Sequence, residues 1–261
     1  MRRDAASRRG RREIGVSGAG VGRDLGGTLR GGYFSQSRNW ASSLLMIVPL
    51  LVVYELGILY VQVPHAAAAD FIKGPLTIFG RRGMLAFNLL VAGGCLVVVS
   101  FLRDRGELRL AFFPLMAAEA AIYAFLLAPA VQLVLGGRVA DLAIRLPRHV
   151  SLASVVVSAG AGVYEELLFR GLLLGFLYFV GLHLLHLKPP LAAVIAILVA
   201  AAVFSLMHFL GPAGEPADIA RFLFRLVAGV LLGIIFLLRG LAVACYTHAI
   251  YNIITFGLQG R

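Results

Sequence analysis

Glu165, Glu166 and Arg170 form a charged island, EELLFR, in an otherwise apolar stretch. Glu166 and Arg170 are four residues apart, which puts them on one helix face within pairing distance. Each lowers the cost of burying the other. Glu165 is one step, about 100°, round the helix from Glu166. It cannot share that pairing fully and is left to meet a different helix. A carboxylate held in an apolar bundle suits general acid–base work. The competing reading is a buried ionic clamp of all three groups, although two carboxylates exceed what one arginine needs.

His208 ends the segment FSLMH, with Phe204 one turn before it on the same side. A lone histidine in a helix is more often a hydrogen-bonded core residue than a catalyst. His248 and Asn252, in HAIYN, are again four apart, so imidazole and amide stack on one face. Such a pair can donate two hydrogen bonds to one point, as a developing oxyanion requires. It equally suits a metal or a contact between helices. The combination says more than any member. Three apolar segments each present a polar group or pair at comparable depth, and a helix bundle can gather such groups in its core. Neither the zinc-binding HExxH nor the serine-nucleophile GxSxG pattern occurs.

The elements that carry these residues are set by composition. Sixty per cent of the 261 residues are hydrophobic and 14% are charged, against about 25% charged in soluble domains. The apolar residues fall in blocks near the ~20 needed for a membrane-spanning helix. The expected fold class is all-α: a polytopic helical membrane bundle of about seven transmembrane helices. The spans are read as Trp40–Val61, Met84–Leu102, Leu110–Leu135, a long region Val150–Leu187, Leu191–Leu210, Ile219–Leu238 and Ala242–Leu258. The long region is too long for one straight span. It is read as a lead-in helix followed by a main helix carrying Glu165–Arg170, closed by LKPP because helices tend to stop before proline. The pairs Gly171/Gly175 and Gly229/Gly233 fit close helix packing. Cys95 and Cys245, both in apolar runs, read as small core residues.

Residues 1–37 are expected to be a disordered basic cytoplasmic arm, residues 38–149 transmembrane helices of unassigned role, and residues 150–261 the core that carries the polar motifs. Residues 1–38 hold nine arginines against Asp4, Glu13 and Asp24, a net charge of +6. Basic charge before a first span holds that end in the cytoplasm, a commoner meaning in a membrane protein than nucleic-acid binding. The partners expected are the lipid bilayer and a membrane-associated protein or peptide substrate, with no nucleic acid. Twenty-two arginines against two lysines is the bias of a GC-rich bacterial genome, so the expected location is a bacterial inner membrane. Glu55 and Glu119 are further carboxylates within spans, read as lining a water or substrate path or capping loops.

EELLFR, FSLMH and HAIYN match, in order, the EExxxR, FxxxH and HxxxN motifs of the CPBP family. The chain thus resembles the CAAX-type prenyl protease and bacteriocin-processing intramembrane endopeptidases, also called the Abi family. The resemblance covers about Val150–Leu258 and includes Gly171, which often follows the arginine. It implies a catalytic core at 150–261 with its site sunk in the bilayer. On this resemblance Glu165 is the catalytic glutamate and His208 its partner in activating water. His248 and Asn252 stabilise the oxyanion, and Glu166, Arg170 and Phe204 support them. The family has been described both with and without an essential metal. If one is used, such as zinc, Glu165, His208 and His248 are the ligands to expect. Two other classes compete: a non-catalytic scaffold or immunity-type partner that keeps the fold, and a proton-coupled transporter. The intact polar set disfavours the first, and the absence of an inverted repeat disfavours the second.

Overall fold

Asn39 opens the first long helix. Its side-chain oxygen accepts hydrogen bonds from the backbone N–H groups of Ala41 (2.7 Å) and Ser42 (3.3 Å), satisfying donors that a helix start leaves unpaired. The structure, a computed structural model, describes residues 32–61, single positions between 86 and 101, and residues 109–137, 150–210 and 214–259. Every regular element among them is helical. The helices are α1 (Phe34–Arg38), α2 (Trp40–Tyr60), α3 (Phe113–Val134, led by a 3-10 turn Leu110–Phe112), α4 (Leu152–Glu166), a π segment (Leu167–Leu174), α5 (Gly175–His183), α6 (Pro189–Met207), α7 (Ile219–Arg239) and α8 (Leu241–Gln259).

Local chemistry explains most of these boundaries. Ser151 caps α4 by accepting from Ser154 N–H (3.0 Å), and Asp218 caps α7 by accepting from Ala220 N–H (2.8 Å). Pro189 and Pro190 occupy the first turn of α6, where a missing N–H costs nothing. Among the described residues, five helical stretches are long and apolar enough to cross a membrane, and Leu241–Phe256 is a shorter apolar helix. The expected span Met84–Leu102 and Cys95 lie largely or wholly outside the described residues. Residues 1–31 of the expected arm do too, but its last residues do not fit the expectation of disorder. Phe34–Arg38 is helical, with Gln36 and Ser37 buried.

The long region Val150–Leu187 is not divided into two helices. Leu152–His183 runs as one helical rod of 32 residues, about 48 Å at the α-helical rise against a hydrocarbon core of ~30 Å. No proline interrupts it, so the ladder is not broken. It shifts instead to π spacing over Leu167–Leu174, directly after Glu166. Such segments turn the residues beyond them to a new facing and often mark functional sites.

α8 lies at the centre and packs against α2, α3, α4 and α7. Leu241, Ala242, Val243, Ala244 and Cys245 are all buried, as a helix surrounded by others must be. α6 shows the opposite pattern for a peripheral helix. Its alanines Ala192, Ala196 and Ala200 face inward, while Leu191, Val194, Leu198 and Val199 are exposed. Small residues inside and bulky apolar residues outside suit a lipid-facing helix.

The glycine expectations divide. Gly229 lies against Ala201, and Gly233 against Ile197 and Leu174, at tight contact. The pair Gly171/Gly175 does not mark a close approach, since the nearest atoms to an added Cβ lie at 3.9 Å. Close contacts also occur at Gly57, Gly160 and Gly162, which the Gly-xxx-Gly spacing missed. A Cβ on Gly162 would stand 2.7 Å from both Ala249 Cβ and the Cys245 carbonyl oxygen. Gly162→Ala should therefore push α4 from α8 and cost about 1–3 kcal/mol. Gly171→Ala should be tolerated. Unfolding of the two variants in detergent compares them directly.

Glu119 is a clamp and not a loop cap. Arg239 holds it through Nε (2.5 Å) and Nη2 (2.6 Å), Tyr123 donates to it at 2.7 Å, and Tyr33 donates as well. The Arg239 guanidinium also lies 4.2 Å from the Phe34 ring centroid. Gly240, at φ +89°, would drive a Cβ to 2.1 Å from the Ser37 carbonyl oxygen, so only glycine fits where α1 docks on the α7–α8 turn.

Candidate active site

α4 ends on Tyr164, Glu165 and Glu166, all buried. Their neighbours on the same rod face different helices. Tyr164 donates to Glu55 of α2 at 2.5 Å and packs edge-on against Tyr54. This contact pins α4 to α2 immediately before Glu165. Glu166 faces α8 and the π segment. Its Oε1 receives Arg170 Nη1 at 2.8 Å and His248 Nδ1 at 2.7 Å. Arg170 also donates through Nη2 to the Gly229 carbonyl of α7 (3.3 Å) and lies 4.4 Å from the Phe204 ring centroid. The second Glu166 oxygen is buried with no hydrogen-bond partner among the described residues.

Glu165 takes a third direction, as one step round the helix requires. Its Oε2 stands 3.9 Å from His208 Nε2 and 3.8 Å from His248 Nε2. Both distances are too long for a direct hydrogen bond. They leave the three atoms facing one point that each could reach through a small intervening group. The tautomers follow from the far side of each ring. His208 Nδ1 lies 2.9 Å from the Phe204 carbonyl oxygen, which can only accept. Its hydrogen is therefore on Nδ1 and its Nε2 is bare when the ring is neutral. His248 Nδ1 faces the Glu166 carboxylate, so the same reasoning applies there.

Phe204 is the common wall. Its ring meets His208 at 4.9 Å, His248 at 6.0 Å and Phe169 at 5.3 Å, all edge-to-face. Asn252 lies one turn beyond His248 on α8 and is half-buried. The fold thus gathers Glu165, Glu166, Arg170, Phe204, His208 and His248 in one cluster, and the register of α8 places Asn252 beside it.

The donor set does not fit a metal as it stands. Ligands about 2.0–2.2 Å from a tetrahedral zinc lie roughly 3.4 Å apart, closer than Glu165 is to either imidazole. Among the described residues no group of three or more His, Cys, Asp or Glu is arranged to hold one.

Residues 147–254 match a family model described as Rce1-like, type II CAAX prenyl endopeptidase Rce1-like. This part of the chain is similar to that family. The Rce1-like segment begins just before Ser151 and takes in α4 through most of α8, so it contains every residue of the cluster. The family is one of CAAX-type intramembrane proteases, and the chain is read as one of them. Together with the five membrane-length apolar helices among the described residues, this makes the chain an integral membrane protein. No curated protein and no solved structure matches the chain.

Two features of the Rce1-like segment escaped the sequence reading. One is the Gly229 carbonyl, which helps hold Arg170 and carries no side-chain signal. The other lies after His208. Glu215 N–H donates to the His208 carbonyl at 3.0 Å, and the Glu215 carboxylate is gripped by Arg225 Nη2 at 2.6 Å and Arg221 Nη1 at 3.0 Å. A glutamate in a proline-bounded turn, followed by arginines spaced four apart, was a readable signal. Partial burial pushes the Glu215 carboxyl up, but Arg225 and then Arg221 outweigh it and hold it below its ordinary value of 4.5. These contacts contribute stability above the ordinary value, and it is lost as pH falls through the lowered one. Protease nicking between Gly214 and Asp218 should therefore begin only once the pH has fallen below the ordinary carboxyl value of 4.5.

Proposed function

We propose that this chain hydrolyses a peptide bond in a membrane-associated protein or peptide precursor, using water activated by Glu165 and His208. The observation that carries the reading is the meeting of Glu165 Oε2 with the Nε2 atoms of His208 and His248 at 3.8–3.9 Å. Water placed at that point gives a proton to Glu165, with His208 accepting a hydrogen bond from it. The hydroxide adds to the scissile carbonyl. His248 and Asn252 stabilise the tetrahedral oxyanion, and Glu165 returns the proton to the leaving amine.

His248 can donate from Nε2 only when its ring carries two protons. Glu166, bound at Nδ1, fixes the orientation of the ring, and Arg170 keeps Glu166 in place. Water reaches the site from the His208 side, because the His208 side chain is 19% exposed and that of Glu165 only 5%. The bilayer core supplies no water of its own.

The substrates favoured are a secreted peptide precursor or a protein with a hydrophobic C-terminal sorting segment, in a bacterial inner membrane. The nine arginines before the first span favour a cytoplasmic N-terminus. Comparative membrane proteomics of wild-type and Glu165→Gln cells tests the reading. A precursor should accumulate in the variant. Identical precursor and product levels would leave a scaffold as the better description.

A further inference from the structure

His208 is the C-cap of α6, not an interior residue. Its backbone is still α-like (φ −72°, ψ −16°), but its N–H bonds to Ser205 (3.3 Å), three residues back. From His208 onward three-residue turns, Phe209 N–H to Leu206 (3.0 Å) and Leu210 N–H to Met207 (3.3 Å), replace the α-helical ladder at the residue whose imidazole must face Glu165. The ring's contact with the Phe204 carbonyl restrains one end. The His208 carbonyl is one of the acceptors that a helix end leaves unpaired, and Glu215 N–H takes it at 3.0 Å.

Glu215 is in turn tied to α7. Arg225 holds one carboxylate oxygen and Arg221 the other. The Arg225 guanidinium lies 5.5 Å from the ring centroid of Phe209, the residue after His208. Arg221 is placed by Asp218, which caps α7 through Arg221 N–H and faces its Nε at 3.8 Å. Ser205 Oγ donates to the Phe222 carbonyl at 2.7 Å, locking the last turn of α6 to the first of α7. The Glu215 and Arg221 side chains are 38% and 56% exposed, and exposed pairs contribute little stability. What the ties do supply is a fixed path from α7 to the backbone of His208.

We propose that Glu215, held by Arg225 and Arg221, is a positioning residue that sets the aim of the His208 imidazole toward Glu165. The inference rests on the proposed role of His208, and it names a control on that residue from outside the EExxxR, FxxxH and HxxxN segments. Glu215 touches no reacting atom. It acts through the His208 backbone, so its loss should slow the chemical step and leave substrate binding unchanged.

The test uses the full chain in detergent micelles with ring-labelled histidine, the His208 signals being assigned by their loss in His208→Gln. Glu215→Gln should move the His208 ring resonances. It should also lower kcat on the order of 10- to 100-fold, since misplacement by about 1 Å costs up to that much, with KM unchanged. The substrate is the precursor that accumulates in Glu165→Gln membranes. Arg225→Gln should do the same, and the double variant should be no worse than the more damaged single one, because both act along one path. Arg225→Lys, which keeps the charge, should recover part of the rate. Arg225→Gln, which leaves Glu215 itself in place and removes the donor to its Oε1, carries the test if Glu215→Gln does not fold.

The inference is overturned if His208 resonances coincide in wild type and Glu215→Gln, or if the two single losses multiply in the double variant. It is equally overturned if the rate falls only in step with thermal stability. Should Glu165→Gln still process the precursor, the protease reading fails by itself, and the histidine spectra continue to decide whether Glu215 aims His208.

Discussion

Glu165→Gln should lower cleavage by on the order of 10²–10⁴-fold, the range for loss of a positioned general base, while leaving the unfolding transition near that of wild type. The substitution is nearly isosteric. Glu165 makes no short hydrogen bond in the cluster, its closest ionic partners being the imidazoles at 3.8 and 3.9 Å. The fold therefore does not depend on its charge, whereas the reaction does. An amide cannot take a proton from water or return one to an amine. The measurement is cleavage rate and melting temperature on the same preparation. A variant that cuts within tenfold of wild type would remove Glu165 from the mechanism. A variant that melts far earlier would make it a structural residue.

Arg170→Leu should have the largest effect on folding. Arg170 and Glu166 are almost wholly buried. Removing the guanidinium leaves a carboxylate deep in the bundle with His248 as its remaining partner, and breaking such a pair costs about 3–5 kcal/mol. The Gly229 carbonyl also loses a donor and Phe204 its covering cation. The double variant Glu166→Leu/Arg170→Leu should unfold later than the single one, because replacing both charges leaves none uncompensated. It should still be inactive, since His248 loses the group that orients Nδ1. Denaturation midpoints and cleavage measured on both variants separate these effects. A single variant as stable as wild type would show that Glu166 needs no counter-charge.

The readable part of the fold lay in short-range rules. Asn39, Ser151, Asp218 and the Pro189–Pro190 pair begin helices because each satisfies or omits N–H groups two or three residues away. The expected starts of the first and sixth spans, read from where the apolar runs begin, coincide with the observed ones at Trp40 and Ile219. The absence of proline between Ser151 and Lys188 was equally visible, yet a division into two helices was expected there. What happened instead was a change of hydrogen-bond spacing after Glu166, and π spacing has no reliable residue signature. Glycine spacing misled in the same way. Gly171 and Gly175 have the pattern of a contact and make none, while Gly162 lacks it and lies against α8. Whether a small residue meets another helix depends on which helix is beside it.

The chemical inventory of the site was written in the chain: EELLFR, FSLMH and HAIYN named the groups, and their four-residue spacings named which would share a face. The meeting of Glu165 with two imidazoles is a different kind of fact. It depends on α8 occupying the centre, on close approach at Gly162, and on the facing of three helices whose residues are 40 or more positions apart. The same holds for Glu119, a polar span residue by sequence and a clamp for α1 by structure, and for Glu215, which reaches His208 only because α7 folds back on the end of α6. Caps and pairing faces are decided by atoms within one or two turns. Convergence is decided by packing, which no local spacing encodes.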